Sequence, residues 1–282
     1  MEMMKKTFVL ASLSCATAVS MACTNFLVGK KASVTGSTMI SYAADSHQLY
    51  GELYYTPAAD HPKGAKRPVI DWDSNKPLGE IDEVSHTYRV VGNVNEWQVT
   101  VAESTWGGDL ALMDSTGIVD YGSLIYIALE RSKTAREAID VMTSLVAEYG
   151  YASEGETFSI GDPNEIWIMD MIGRGPANKG AVWVARRIPD DCIAGHANQA
   201  RIHQFPQTKK LNKKLNRYEV GDSCLYSADL IPFARQCGKY QGEDKDFDFA
   251  ATFGEKDYTS FRGCDGRVWA FFNHYAKGMD KY

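Results

Sequence analysis

Cys23 closes an apolar, small-residue leader and opens a polar–apolar alternation in the stretch "SMACTNF". A cysteine at such a place serves one of three chemistries. Acylated, it anchors a lipoprotein. Paired, it is half of a disulfide. Freed as a new N-terminus, it carries a thiol and an α-amine on one Cα. An N-terminal amine titrates at about 7.7–8.0 and an ordinary thiol at about 8.5. The amine is therefore partly neutral near pH 7 and can serve as base for its own side chain, the arrangement known for N-terminal threonine with sulfur in place of oxygen. Such a unit needs no histidine, and none of the six histidines forms an obvious sequence pair with Cys23.

The leader marks export and by itself leaves the lipid anchor and the freed N-terminus both open. "MEMMKK" is a positively charged start, "TFVLASLSCATAVSMA" is a short apolar run, and Ser20 and Ala22 stand third and first before Cys23. Residues 1–22 read as a secretory signal peptide and residues 23–282 as a single exported domain, periplasmic or extracellular. Ser20 and Met21 fit poorly with the Leu/Val and small-residue pattern that precedes a lipid-modified cysteine. No segment is long and apolar enough for a spanning helix. Cys15 leaves with the leader and five cysteines remain, an odd number. Cys224 and Cys237 could close a loop or stand free.

Composition narrows the partner. The 282-residue chain is 44% hydrophobic with a net charge of −6. That is globular composition and argues against a nucleic-acid binder. The one basic run, "KKLNKKLNR", reads as a solvated helix or loop face. No Cys-x-x-Cys or His-Glu-x-x-His pattern occurs, so the sequence gives no support to a zinc site, and the chemistry of Cys23 requires no metal or organic cofactor.

Elements must then position Cys23. "CTNFLVGKKASVTGSTMISYAAD" alternates about a turn and predicts a hairpin with strands near Thr24–Gly29 and Thr38–Ala43. "HTYRVVG" and "WQVTVAES" predict a second hairpin joined by "NVNE". "GSLIYIALER" predicts a helix. The next helix carries an apolar stripe at Ala135, Ala138, Ile139, Met142, Leu145, Val146 and Tyr149, with a capping box at Thr134 and Glu137 and a stop at Gly150. Strands return at "TFSIGD", "EIWIMDMIG" and "GAVWVARRIPD". The order β, α, β with hairpins predicts a layered α+β fold with helices laid on a sheet. The aromatic tail "DGRVWAFFNHYAKGMDKY" reads as core or interface.

The stretches "CTNFLVGKKASVTGSTM", "NEWQVTVAESTWGG", "IDVMTSLVAEYGYASEGETFSIGDPNEIWIMDMIG", "GAVWVARRIPD" and "HANQARI" resemble the dipeptidase A family of cysteine N-terminal-nucleophile hydrolases, cousins of the bile-salt and penicillin V amidases. Together they cover most of Cys23 to Ile202. The resemblance implies a four-layer αββα sandwich and hydrolysis of short peptides, chiefly dipeptides. It implies Cys23 as nucleophile, Asp45 as the acid orienting it, Asn198 and Asn95 as oxyanion donors, and, on a loose alignment, Arg267 as a cation beside the nucleophile. It also implies that Trp106, Gly107 and Gly108 line the pocket. Read alone, Asp45 is a loop carboxylate, Asn95 and Asn198 are turn residues, and His196 and His203 are structural or surface histidines. Two departures stand out. Tyr42 occupies the position of an arginine in the amidases. The chain also ends soon after "RVWAFFN", where family members continue, so an incomplete C-terminus is expected. The alternatives are an amidase for bile-salt conjugates or N-acyl amides, and an inactive surface lipoprotein anchored at Cys23.

Overall fold

Side-chain alternation explains the central strands. In Ile166–Gly173 every residue is buried, and the two faces serve different cores. Trp167, Met169 and Met171 join one apolar cluster, while Ile166, Ile168 and Ile172 join the other. A strand covered on both faces must read as one apolar run, which is why "EIWIMDMIG" shows so little polarity. These assignments come from a computed structural model that describes residues 23–46, 50–176, 178–254, 257–258 and 260–281. The leader, with Cys15 and the expected cleavage signal, lies outside the described residues.

The principal elements are β1 (Thr24–Val28), β2 (Met39–Ala43), β3 (Thr100–Gly107), α1 (Tyr121–Arg131), α2 (Ala135–Tyr149), β4 (Gly155–Gly161), β5 (Ile166–Gly173), β6 (Ala181–Ile188), β7 (Ile193–His196), β8 (Arg217–Val220), β9 (Cys224–Ser227), α3 (Leu230–Gln236), α4 (Phe249–Phe253) and α5 (Gly266–Tyr275). A three-stranded antiparallel sheet has the order β7-β1-β2. A ten-stranded sheet contains β8-β9-β6-β5-β4-β3 in that order, flanked by two-residue strands at both ends. All its named pairings are antiparallel. Helices α1 and α2 share one apolar cluster with β3, β4, β5 and β6. Leu27 of β1 and the helices α3 and α4 belong to the cluster on the other face. The result is an α+β protein with two principal antiparallel sheets and two small two-stranded ones.

Local chemistry sets the helix ends. Asp120 caps α1 by accepting from the Gly122 and Ser123 amides. Thr134 caps α2 by accepting from the Glu137 amide at 3.2 Å, and Glu137 accepts in turn from the Lys133 amide at 2.7 Å, one residue earlier than an ordinary capping box would use. Gly150, at φ 83°, ends α2. The six buried residues of the stripe, Ala135 to Val146, face the core as their spacing requires.

Three details differ from the sequence reading. In "NVNE", Val94–Asn95 is itself a short strand paired with Val90–Val91, and the chain reverses at Gly92–Asn93, where Gly92 has φ 54°. The basic run is the turn of a strand pair, Leu211–Asn212 with β8, closed by Asn212 accepting from the Lys214 and Leu215 amides. All five described cysteines are free thiols, so Cys224 and Cys237 close no loop. In the tail, Phe271 of α5 stacks on Phe26 of β1 with centroids 4.1 Å apart.

Candidate active site

The two sheets are stitched by polar side chains immediately beside Cys23. Asn25 of β1 donates from Nδ2 to the Glu103 carbonyl at 2.6 Å. His196 of β7, paired in register with Asn25, sits between Ser104 and Ser159 at 2.6 Å from each hydroxyl. Tyr42 of β2 donates to Glu103 Oε1 at 2.6 Å. These bonds fix the start of β1 beside Glu103 of β3. Cys23, the residue before β1, is 7% exposed and borders two clefts at once.

The first cleft, about 480 Å³, is lined by Cys23, Trp106, Gly107, Glu156, Asn198 and further residues treated below. The second, about 180 Å³, is walled by Tyr42, Tyr54, Trp72, Tyr121 and Tyr126 and also reaches Glu103. The larger volume falls in the usual range for small-molecule sites. The thiol is pushed up to about 12, first by burial, then by the charges of Glu103 and Glu156. The Asp45 backbone N–H opposes this by donating to the sulfur.

Arg267, on α5, reaches across to this residue. Its Nη1 donates to the Cys23 carbonyl at 2.7 Å and to Thr24 Oγ1 at 2.6 Å, and its Nη2 donates to Asn198 Oδ1 at 2.8 Å. Its Nε is held by the Gly263 carbonyl at 2.6 Å, inside the wide helical turn Ser260–Asp265 that leads into α5. Asn198 sits at φ 49°, a conformation asparagine tolerates better than most residues. One hydrogen of its Nδ2 goes to the Thr105 carbonyl at 2.5 Å. The amide carries a second, and the residue borders the Cys23 cleft. Buried Asp170 holds the following turn by accepting from the Arg201 and Ile202 amides at 2.8 and 2.6 Å.

The structure therefore brings Cys23, Asn198 and Arg267 together and places Asp45 beside them through its backbone, its own side chain being exposed. Asn95 is not among them. Its Nδ2 donates to the Leu129 and Ser132 carbonyls at 2.7 Å each, and its Oδ1 accepts from the Trp97 and Val99 amides at 3.0 Å each. All four hydrogen-bonding positions of that side chain are spent tying a turn to the end of α1, and it borders neither cleft. The asparagine that does reach the second cleft is Asn93. The Arg267 guanidinium is directed at the Cys23 carbonyl, the Thr24 hydroxyl and Asn198. The site residues that the sequence reading missed are Glu103 and Glu156. Their signal was acidic side chains within strands that otherwise read as core.

Replacing Arg267 by alanine removes three charge-assisted contacts that hold Cys23, Thr24 and Asn198 in one arrangement. The expected result is a drop in kcat/KM of about 100-fold, scaled from the loss of a site-organising group, with a smaller loss in Arg267→Lys. Steady-state kinetics read beside the melting temperature check this. Wild-type kinetics in the alanine variant would refute it.

An α+β protein with a buried thiol at the junction of two clefts defines a class, and sequence comparison supplies the rest. The chain belongs to peptidase family C69, which it matches over residues 22–67 and 56–281. Among curated relatives it is 31% identical to a dipeptidase A of Lactobacillus helveticus over 205 residues, 65% of this chain and 41% of that protein. It is 29% identical to a probable dipeptidase of Latilactobacillus sakei over 65% of this chain and 41% of the relative. With a probable dipeptidase of Salmonella dublin it shares 24% identity over 277 residues, 92% of this chain and 59% of the relative. The chain thus spans about half the length of the curated relatives it matches.

Proposed function

We propose that this chain is a cysteine dipeptidase of the N-terminal-nucleophile type, exported and matured by removal of residues 1–22, with Cys23 as nucleophile. The observation that carries the reading is the meeting of two clefts at a buried Cys23 with Asn198 and Arg267 gathered on it. The dipeptidase names of the relatives supply the substrate class. In this reading the layers become αββα: α1 and α2, the ten-stranded sheet, the β7-β1-β2 sheet, and α5 outermost.

The steps follow from the groups present. Cleavage before Cys23 frees an α-amine on the residue whose thiol burial has made a poor acid. The amine accepts the thiol proton as sulfur attacks the scissile carbonyl carbon, a C–S bond forms, and the carbonyl oxygen becomes an oxyanion. The second Nδ2 hydrogen of Asn198 stabilises that charge, held in place by Arg267 on its Oδ1. Collapse breaks the C–N bond, and the ammonium returns its proton to the leaving amine. Water, deprotonated by the same amine, then hydrolyses the thioester.

The test is the intact mass and N-terminal sequence of the protein from an exporting bacterial host, followed by assay on a dipeptide panel. The expected product begins at a free Cys23 and hydrolyses dipeptides. An acylated or internal Cys23 would overturn the reading, because neither leaves thiol and amine free together.

A further inference from the structure

Two acids lie at the floor of the clefts with no role in the steps above. Glu103 is 2% exposed and Glu156 is fully buried. Tyr42 donates to Glu103 Oε1 and Thr105 to Glu156 Oε1, each at 2.6 Å. The other oxygen of each carboxyl, Oε2, meets no N–H or O–H donor among the described residues. The two carboxyls face each other, and burial raises both above the carboxylate range, Glu156 further because Glu103 is its neighbour. Like charges so placed oppose each other's ionisation, and an ammonium beside them favours the ionised form of either. No ion pair among the described residues reaches either carboxyl, although a buried charge is strongly disfavoured without a partner. The thiol of Cys23 lies against Glu103.

The surroundings indicate the missing partner. Besides Glu156, the larger cleft is lined by Asp71, Asp73, Glu154 and Asp257, and no lysine or arginine lines it among the described residues. That lining favours a cation. In attack on the first peptide bond of a chain, the α-nitrogen of the amino-terminal residue is two bonds from the reacting carbonyl carbon. A group touching the thiol can therefore also touch that nitrogen. The amine of Cys23 is the other ammonium within reach, but an anionic seat would hold it protonated, and as base it must be neutral.

We propose that the Glu103–Glu156 pair is the seat for the α-ammonium of the substrate's amino-terminal residue, so that the site takes peptides with a free amino terminus and rejects N-acylated ones. The proposal rests on the functional reading above and deepens it. It assigns Glu103 and Glu156 as specificity-determining residues and separates this site from amidases of N-acyl substrates.

The test uses alanyl-alanine and N-acetyl-alanyl-alanine. Binding is measured by calorimetry to the matured Cys23→Ala protein, and kcat/KM is measured on the wild type. The free dipeptide is expected to bind at least about 100-fold tighter and to be hydrolysed with at least that preference, as for a buried charge-assisted contact. Glu103→Gln and Glu156→Gln are expected to bring the preference to within about fivefold by weakening the free dipeptide. In both variants the Cys23 thiol should react with iodoacetamide at least as fast as in the wild type, because one cause of its weak acidity is gone. That readout separates a lost seat from a collapsed site. Equal treatment of the two compounds by the wild type, or no binding of either by Cys23→Ala, overturns the seat. Dipeptide hydrolysis without preference would sink the seat and leave the dipeptidase reading standing. Preferential binding without hydrolysis by the wild type would uphold the seat and sink that reading.

Discussion

Replacing Cys23 by serine is expected to lower dipeptide turnover by at least about a thousandfold while leaving the melting temperature within a few degrees, in the range seen when a nucleophile is lost. The exchange swaps sulfur for oxygen at a site already enclosed by β1, β2 and β3, so packing changes little. The chemistry changes a great deal. The amine base must remove a proton from the nucleophile, and a hydroxyl is a far weaker acid than even a thiol raised to about 12. The same exchange at exposed Cys192 touches neither cleft and should leave kcat/KM within about twofold, as for surface changes generally. Circular dichroism, melting temperature and steady-state kinetics on the three proteins decide the matter. Turnover by Cys23→Ser at the wild-type rate would remove Cys23 from the mechanism.

Most of the scaffold around Cys23 was legible because each element carried a local signal. The β1–β2 hairpin showed period-two alternation, and α2 showed both its stripe and its caps. The identity of Asn198 as a site neighbour was legible only through its flanking motif, since its spacing from Cys23 has no period. Asn95 was misassigned for a physical reason. A buried asparagine in a turn satisfies main-chain groups, and nothing local distinguishes that from a residue aimed at a cleft. The acid pair was illegible because it forms only when β3 and β4 align, Thr105 opposite Glu156 and Glu103 opposite Phe158. Register between strands about fifty residues apart is a tertiary property, so neither acid announced itself in the chain. The arginine expected where Tyr42 stands shows the converse. Tyr42 is no cation, yet its hydroxyl holds Glu103, so the position still acts on the site by another route.

Acidification should weaken the fold through His196, and the histidine's share can be isolated. The imidazole is fully buried between Ser104 and Ser159 and is driven down to about 3 by burial, with the charge of Arg201 adding to the effect. Its ordinary value is about 6.5. In the unfolded chain it takes a proton as pH falls through 6.5, while the folded form resists until about 3. The stability it contributes is therefore fully present above 6.5 and is lost progressively between 6.5 and 3. At pH 5 the loss is on the order of 2 kcal/mol. Asp170 works in the opposite sense. Burial raises it to about 6, so its penalty appears as pH rises from its ordinary range through 6 and is relieved on acidification. The raised Glu103 and Glu156 share that sign. The total curve is thus a contest, and a difference curve is needed. His196→Gln keeps one hydrogen-bonding arm but loses the bridge between the sheets, and should cost about 2–3 kcal/mol at pH 8, as for a broken buried network. Because glutamine does not titrate, the gap between variant and wild type should narrow by about 2 kcal/mol by pH 5, measured by urea unfolding at both values. A gap that stays constant with pH would mean that His196 is not held neutral between the sheets, and the clamp that sets Cys23 over Glu103 would need another origin.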